Sequence, residues 1–349
     1  MNENVFRVLT GMRPTGTLHL GHKVGALDAW VHYQSDPITP YECFFLVADV
    51  QALTTHSDRP ALIQQSVLDV VYDWLSVGLT PDPSRVHFVL QSQVETRADL
   101  SVMLSMLAPW STVSRNPTVK EELARIEAGE NSSVSAGFML YPVDQAGDIY
   151  MVAPRNISGN ELVVPVGDDQ LPHLELARDL ARTFNDLYGV DLFRPCEPRT
   201  TDTGRLVGID GKDKMGKSAN NAIMLTDTPE VVAQRVMSMY TDPKRIHATD
   251  PGTVEGNPLF IYYDAFAPDK EEVAEYKRLY KLGQIGDVPL KARLAVIINE
   301  MLEPIRERRA QAEKEPIGDY LRMGTARASE ICREVVKEAQ EAMYLGFPS

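Results

Sequence analysis

The sequence predicts an α/β protein: a Rossmann-like, doubly wound parallel sheet followed by a mainly helical C-terminal region. Short apolar runs alternate with stretches of helical periodicity as far as about residue 188, the pattern of parallel strands joined by crossover helices. The runs are nearly continuous in apolar residues, as strands buried on both faces are. Beyond "GRLVGIDGKDKMGKSANN" the strand signal fades, and mostly helical patterns run to the end.

Val5, Phe6, Val8 and Leu9 make the first strand, ended by Gly11, and Val24, Ala26, Leu27, Trp30 and Val31 recur at helical spacing after His22. "ECFFLVADV" is the second strand, "ALIQQSVLDVVYDWLSVG" a helix stopping at Gly78, and "RVHFVLQSQ" the third strand. In "ELVVPVGDDQLPHLELARDLARTFN" a fourth strand turns into a helix whose apolar face is Leu174, Ala177, Leu180, Ala181 and Phe184. Residues 101–155 are too long for a usual crossover and predict an inserted helical segment. Thr228 caps a helix that has Pro229 at its first position. The expected division is a catalytic domain over 1–205, a lysine-bearing loop over 206–226 and a helical domain over 227–349. Ligands of such sheets sit beyond the carboxyl ends of the strands, which puts His19-His22 and Gly167-Asp168-Asp169 on one rim.

A hydrophobic content of 44% is ample for a core, and Lys+Arg 35 against Asp+Glu 49 gives a net charge of -14. That balance argues against an indiscriminate nucleic-acid coat, which rests on many basic contacts to phosphate, but leaves a locally basic groove open. Cys43, Cys196 and Cys332 form no C-x-x-C pair, so neither a disulfide framework nor a metal site is indicated, and a reducing compartment is expected. No stretch approaches the roughly 18 apolar residues of a membrane span, so a soluble, cytoplasmic protein without a membrane partner is expected.

Two motifs carry chemistry. In "GMRPTGTLHLGHKVGAL", His19 and His22 flank Gly21 where a strand hands over to a helix. Gly21 lets a ligand approach the backbone, the helix start offers unpaired N–H groups to an anion, and imidazoles donate to oxygens that gain charge. Taken alone, a satisfied structural histidine pair is the more economical reading. "KDKMGKS" places Lys214 and Lys217 around Met215 and Gly216, with Ser218 after, in a glycine-containing stretch. Two ammonium groups on a mobile loop can close over a polyphosphate, although a solvated Lys-rich turn is common for any one such tract.

Together these tracts, HLGH and KMGKS, resemble the HIGH and KMSKS motifs of class I aminoacyl-tRNA synthetases. "TGTLHLGH", "ADVQALT", "NPTVKEE", "VSAGFMLYPV", "GDDQLPHLELARDLARTFN", "MYTDP" and "DPGTVEGNP" are similar, in order and spacing, to the bacterial tryptophanyl branch over nearly the whole chain. The resemblance implies catalytic roles for His19, His22, Lys214, Lys217 and Ser218. It implies ATP binding by Arg13, Pro14, Thr15, Gly21, His22, Gly167, Asp168, Asp169, Leu206 and the loop Lys214, Met215, Gly216, Lys217. Asp148 matches the carboxylate that accepts the indole N–H of L-tryptophan, with Tyr141, Gln145 and Gln170 on neighbouring pocket positions. A carboxylate in an otherwise apolar pocket suits a large apolar ring with one donor.

The resemblance further implies ATP and L-tryptophan as substrates, Mg2+ carried with ATP, tRNA(Trp) as acceptor, and a homodimer with the inserted segment as its surface. No dedicated metal site is expected. Many family members have Asn in place of His22, Gln in place of Arg13, and hydrophobic residues in place of Asp144-Gln145. The spacing Tyr141, Gln145, Asp148 also resembles the pocket of some tyrosyl enzymes, so tyrosine stays open as the alternative amino acid. Two other classes stay open: a nucleotidyltransferase of the same superfamily, which would not need the helical domain, and a synthetase-derived sensor, which would usually lose motif residues. "PIRERRAQAEK" supplies Arg306, Arg308, Arg309 and Lys314, read either as a phosphate-contact stripe or as a solvated helix face.

Overall fold

Five parallel strands form one sheet in the order β3-β2-β1-β4-β5, with β1 Phe6–Met12, β2 Glu42–Val47, β3 Val86–Leu90, β4 Glu161–Val166 and β5 Glu197–Thr200. The computed structural model describes residues 4–127, 134–200, 206–212, 214–217, 219–243, 245, 247 and 249–347. The strand order reverses between β1 and β4, so the crevice at their carboxyl ends is the topological switch point of the sheet.

Both faces of the sheet are covered. Val8, Phe45 and Phe88 share one core with Trp30 and Trp74, and that core continues into Leu290, Leu294 and Ile298. Their strand neighbours Leu9, Phe44 and Val89 point the other way, toward Leu100, Ala146, Leu174 and Ile331. This is why the strands read as nearly continuous apolar runs. The helix over Pro60–Val77 ends at Gly78, whose φ of 106° is the left-handed conformation glycine adopts most readily. The helix Leu171–Tyr188 buries all five residues of its expected apolar face. Thr228 accepts from the Val231 N–H and caps Pro229–Met237.

Between β3 and β4 the chain makes the helices Arg97–Ser105, Trp110–Val113, Pro117–Glu127 and Ala136–Tyr150, where helical insertion was expected. The strand β5 has no counterpart in the sequence reading. Its residues, Glu-Pro-Arg-Thr, show no apolar run because it is an edge strand whose last two residues are exposed, a position that tolerates Pro198.

The C-terminal helix Ile317–Ala342 covers the other edge, where the Leu90 N–H donates to Thr325 Oγ1 at 2.9 Å. Gly324 permits the contact, since a Cβ there would lie 2.2 Å from the Phe88 carbonyl oxygen. The helix Asp287–Ala312 lies along Pro60–Val77 and corrects the idea of a free arginine stripe. Arg308 donates to the Ser76 carbonyl at 2.6 Å, Arg306 to the Asp227 and Asn299 carbonyls at 3.2 Å, and Arg309 pairs with Asp69 and the fully buried Asp73. Asp73 in turn accepts the Leu18 N–H at 2.6 Å, one residue before His19. These cations hold the helical region against the sheet layer, which leaves them committed within the chain.

Candidate active site

A cavity of about 650 Å3 opens at the switch point. One wall is the end of β1 and the turn after it, with Arg13, Thr15, His19, Gly21 and His22; another is the end of β4, with Gly167, Asp168, Asp169 and Gln170. Tyr141, Gln145 and Asp148 line it from the helix Ala136–Tyr150, and Leu206, Lys214 and Met215 from the lysine loop. Residues two hundred positions apart thus share one space. Pro14 is buried behind this lining, Gly216 and Lys217 flank it, and Ser218 falls outside the described residues.

The two motifs are in contact. Met215 Sδ accepts the Gly21 N–H at 3.3 Å, and Lys217 Nζ donates to the Thr15 carbonyl at 3.1 Å. This alters the expectation of open amides at the helix start: the Leu20 N–H donates to the Ile223 carbonyl at 2.9 Å and the His22 N–H to the His19 carbonyl at 2.9 Å. The loop folds over the turn and takes up the Leu20 and Gly21 amides, while the His22 amide bonds within the turn. Gly21 still eases the packing, because a Cβ would meet the His19 ring at 3.0 Å and push it aside. The helix after the turn is not uniform, with a π-helical stretch at Lys23–Leu27 between Leu20–His22 and Asp28–Gln34. Such bulges are frequent at functional sites.

The imidazoles are neutral in this arrangement. Burial, helped by Lys217 and Lys214, pushes His19 down to about 4, and burial with His19 and both lysines pushes His22 well below its ordinary value. His22 Nδ1 accepts the His19 N–H at 3.2 Å, so in the neutral ring Nε2 carries the proton and is a donor. His22 is therefore a hydrogen-bond donor without being a cation. One consequence is measurable. Between the ordinary value of 6.5 and about 4 the unfolded chain binds a proton at His19 that the folded chain refuses, so stability falls as pH drops through that window. A His19→Asn variant is expected to lose melting temperature less steeply than the parent between pH 6.5 and 4; equal slopes would contradict a buried neutral ring.

Lys217 is pushed down to about 8 by burial, against the pull of Asp73 and Asp69, and remains mostly protonated at neutral pH. Lys214 lies more than half exposed with Nζ 3.8 Å from Asp169 Oδ2. Cations thus stand at both walls, Arg13 and the flanking Lys217 on the side of the histidine turn and Lys214 on the side of Asp169.

Asp148 sits at 3% exposure, and burial raises its carboxyl while Arg97 opposes the rise. Gln91 Nε2 donates to its two oxygens at 3.0 and 2.8 Å, and Arg97 Nη1 donates to Oδ1 at 2.8 Å. Gln145 Nε2 donates to Gln170 Oε1 at 3.2 Å, which turns that amide away from Asp148. Gln145 Oε1 is buried and unpartnered. Tyr141 lies 3.1 Å from His173 Nε2, and Asn116 Nδ2 lies 3.2 Å from His173 Nδ1. An amide NH2 only donates, so His173, held down to about 4 by burial, keeps its proton on Nε2 for the Tyr141 oxygen. Thr118 Oγ1 donates to the Asp169 carbonyl at 2.8 Å, tying the inserted segment to the GDDQ turn.

Sequence reasoning missed Gln91, Arg97 and Glu122. Gln91 follows the last residue of β3, so the rule that ligands gather at strand ends would have flagged it. Glu122, inside the quoted "NPTVKEE", lines the cavity and raises the Tyr141 hydroxyl next to it, though burial raises it more. Arg97 carried no signal, being 51 positions from Asp148.

The sequence matches the family of tRNA synthetases class I (W and Y) over residues 1–303. It is 42% identical over 343 residues to the tryptophan–tRNA ligase of Chlamydia caviae, covering 97% of this chain and 96% of that one. The tryptophan–tRNA ligase of Clostridium longisporum is 42% identical over 346 residues, with 97% of each chain covered. Tryptophanyl-tRNA synthetase from Campylobacter jejuni, solved in complex with ADP and tryptophan, is similar with a TM-score of 0.79 at 30% identity, over 97% of this chain and 100% of that one. With the histidine turn and the lysine loop meeting at the switch point of a parallel sheet, and with this similarity over almost its full length, the chain belongs to the class I tRNA synthetases for tryptophan and tyrosine.

Proposed function

We propose that this chain is a tryptophan–tRNA ligase, which activates L-tryptophan with ATP and transfers it to tRNA(Trp). The observation that carries the reading is the convergence of His19, His22, Lys214 and Asp148 on one cavity, with Lys217 beside it. Indole would enter over the apolar end of the cavity with its N–H toward Asp148. A carboxylate oxygen of tryptophan then attacks the α-phosphorus of ATP, the bond to the bridging oxygen breaks, and pyrophosphate leaves.

Lys214 and Lys217 offset charge on the departing phosphates, and His22 Nε2 donates to an oxygen that gains charge. Alignment supplies the rest, since bound reactants need no further loss of freedom to meet. A terminal ribose hydroxyl of tRNA then attacks the adenylate carbonyl, and AMP leaves. Arg13, Pro14, Thr15, Gly21, Gly167, Asp168, Asp169, Leu206, Met215 and Gly216 are assigned to ATP, and Tyr141, Gln145 and Gln170 to the amino acid. Ser218 is assigned with the lysine loop from the motif alone.

Among the described residues no group of three or more His, Cys, Asp or Glu side chains could hold a metal ion. Mg2+ is assigned as an ion carried on the phosphates of ATP. The enzyme is assigned to the cytoplasm; no described helix is long and apolar enough to cross a membrane. Val102, Met106 and Trp110, each more than half exposed on the inserted helices, support a homodimer built on that surface. The region over 227–349 is assigned to tRNA.

Tryptophan is preferred to tyrosine because the relatives matched over almost the full chain are tryptophan–tRNA ligases, and because Gln145 is turned to Gln170 and does not stand beside Asp148 to hold a phenolic hydroxyl. Amino-acid-dependent ATP–pyrophosphate exchange, run with both amino acids, tests this. Exchange with tryptophan and little with tyrosine is expected. Stimulation by tyrosine alone would overturn the specificity, and none by either would favour a sensor.

A further inference from the structure

Asp148 does not act by itself. Gln91 is 1% exposed, and its orientation is set from behind: Oε1 accepts the Gln51 N–H at 3.0 Å, which turns Nε2 toward both oxygens of Asp148. Arg97, 5% exposed, divides one guanidinium nitrogen between Asp148 at 2.8 Å and Asp144 at 2.9 Å. Asp144 and Asp148 stand four residues apart on the helix Ala136–Tyr150, so their carboxylates are neighbours on one face and would repel without the cation between them. Oδ1 of Asp148 already holds two donors, from Gln91 and Arg97, whereas Oδ2 holds one. Oδ2 thus keeps an uncommitted acceptor position.

From this geometry we propose that Arg97 and Gln91 are specificity-determining positioning residues, which fix the orientation of Asp148 and favour its ionised form, so that it offers an acceptor to the amino-acid ring. The inference rests on the reading of Asp148 as the partner of the indole N–H. Without Arg97 two acidic groups would face each other in a buried place, and the easier state is for one to take a proton. A protonated carboxyl presents an O–H where the ring needs an acceptor, and its orientation is no longer fixed from two sides. Selection among rings then weakens even though Asp148 is still present.

The test compares tryptophan with β-(benzothiophen-3-yl)alanine, a near-isostere in which sulfur replaces the N–H, as substrates for ATP–pyrophosphate exchange. The quantity read is the ratio of the two kcat/KM values within one protein sample, so partial unfolding lowers both and cancels. Arg97→Met is expected to reduce the preference for tryptophan by about tenfold or more, the scale of one hydrogen bond to a charged group, with the analogue's kcat/KM little changed. Arg97→Lys, which keeps the charge but loses the planar fork, is expected to fall between and carries the test if Arg97→Met does not fold. Equal losses for both substrates in the two variants would make Arg97 a merely structural ion-pair partner and overturn the proposal.

Asp148→Asn is the control for the underlying reading. With Gln91 and Arg97 claiming the amide oxygen, its NH2 would face the indole donor, and the preference should collapse. A preference that survives Asp148→Asn would overturn the indole assignment itself, a different failure from one confined to Arg97.

Discussion

Lys217→Ala should slow tryptophan-dependent ATP–pyrophosphate exchange by about 10²–10³-fold, the usual loss when one pre-positioned charge partner is removed from a transition state. Binding of tryptophan, measured by equilibrium titration without ATP, should be unchanged. The two differ because Lys217 reaches the site from the side of the histidine turn, with Nζ 3.1 Å from the Thr15 carbonyl, while the proposed amino-acid pocket is built on Asp148 and the helix Ala136–Tyr150. Its ammonium is half-desolvated and already placed, so little reorganisation is needed as phosphate charge builds. Lys214→Ala is expected to act in the same direction. Equal losses in exchange and in tryptophan binding would show that the loop supports the pocket as a whole and has no special hold on the leaving phosphates.

Asp148→Ala should cost twice over. Recognition of the indole N–H is lost, which lowers kcat/KM for tryptophan by about a hundredfold. Stability should fall as well, by about 3 kcal/mol in urea unfolding, because the 5% exposed Arg97 loses the more buried of its two carboxylates. Asp144 remains, so the loss belongs at the low end for a broken buried pair. An Asp148→Ala protein with parental urea midpoint and parental kcat/KM would place the carboxylate outside both the site and the core.

Much of this was legible from residue types alone. The strands β1 to β4 could be read because their central residues are buried on both faces and are mostly apolar, and the helix Leu171–Tyr188 because its apolar residues recur on one face. The edge strand β5 could not, since Glu197–Thr200 buries too little to need an apolar pattern. The site divides in the same way. His19, Gly21, His22 and Lys214 stand in short motifs whose chemistry is local, and the structure brings them to one cavity. The arginines of "PIRERRAQAEK" show the limit: their spacing fits a solvated or phosphate-facing stripe, yet Arg309 is committed to Asp69 and Asp73.

By itself, then, the order of residues determined the layered α/β architecture, the histidine and lysine motifs and the family to which the chain belongs, because periodicity and short motifs are properties of neighbours along the chain. The tertiary structure decided what depends on distance in space: that Met215 covers the Gly21 amide, that burial keeps His19 and His22 neutral, and that Gln91 and Arg97 brace Asp148. Proton affinity and hydrogen-bond orientation follow from how much water is excluded and which groups are brought together, and neither quantity exists until the chain has folded.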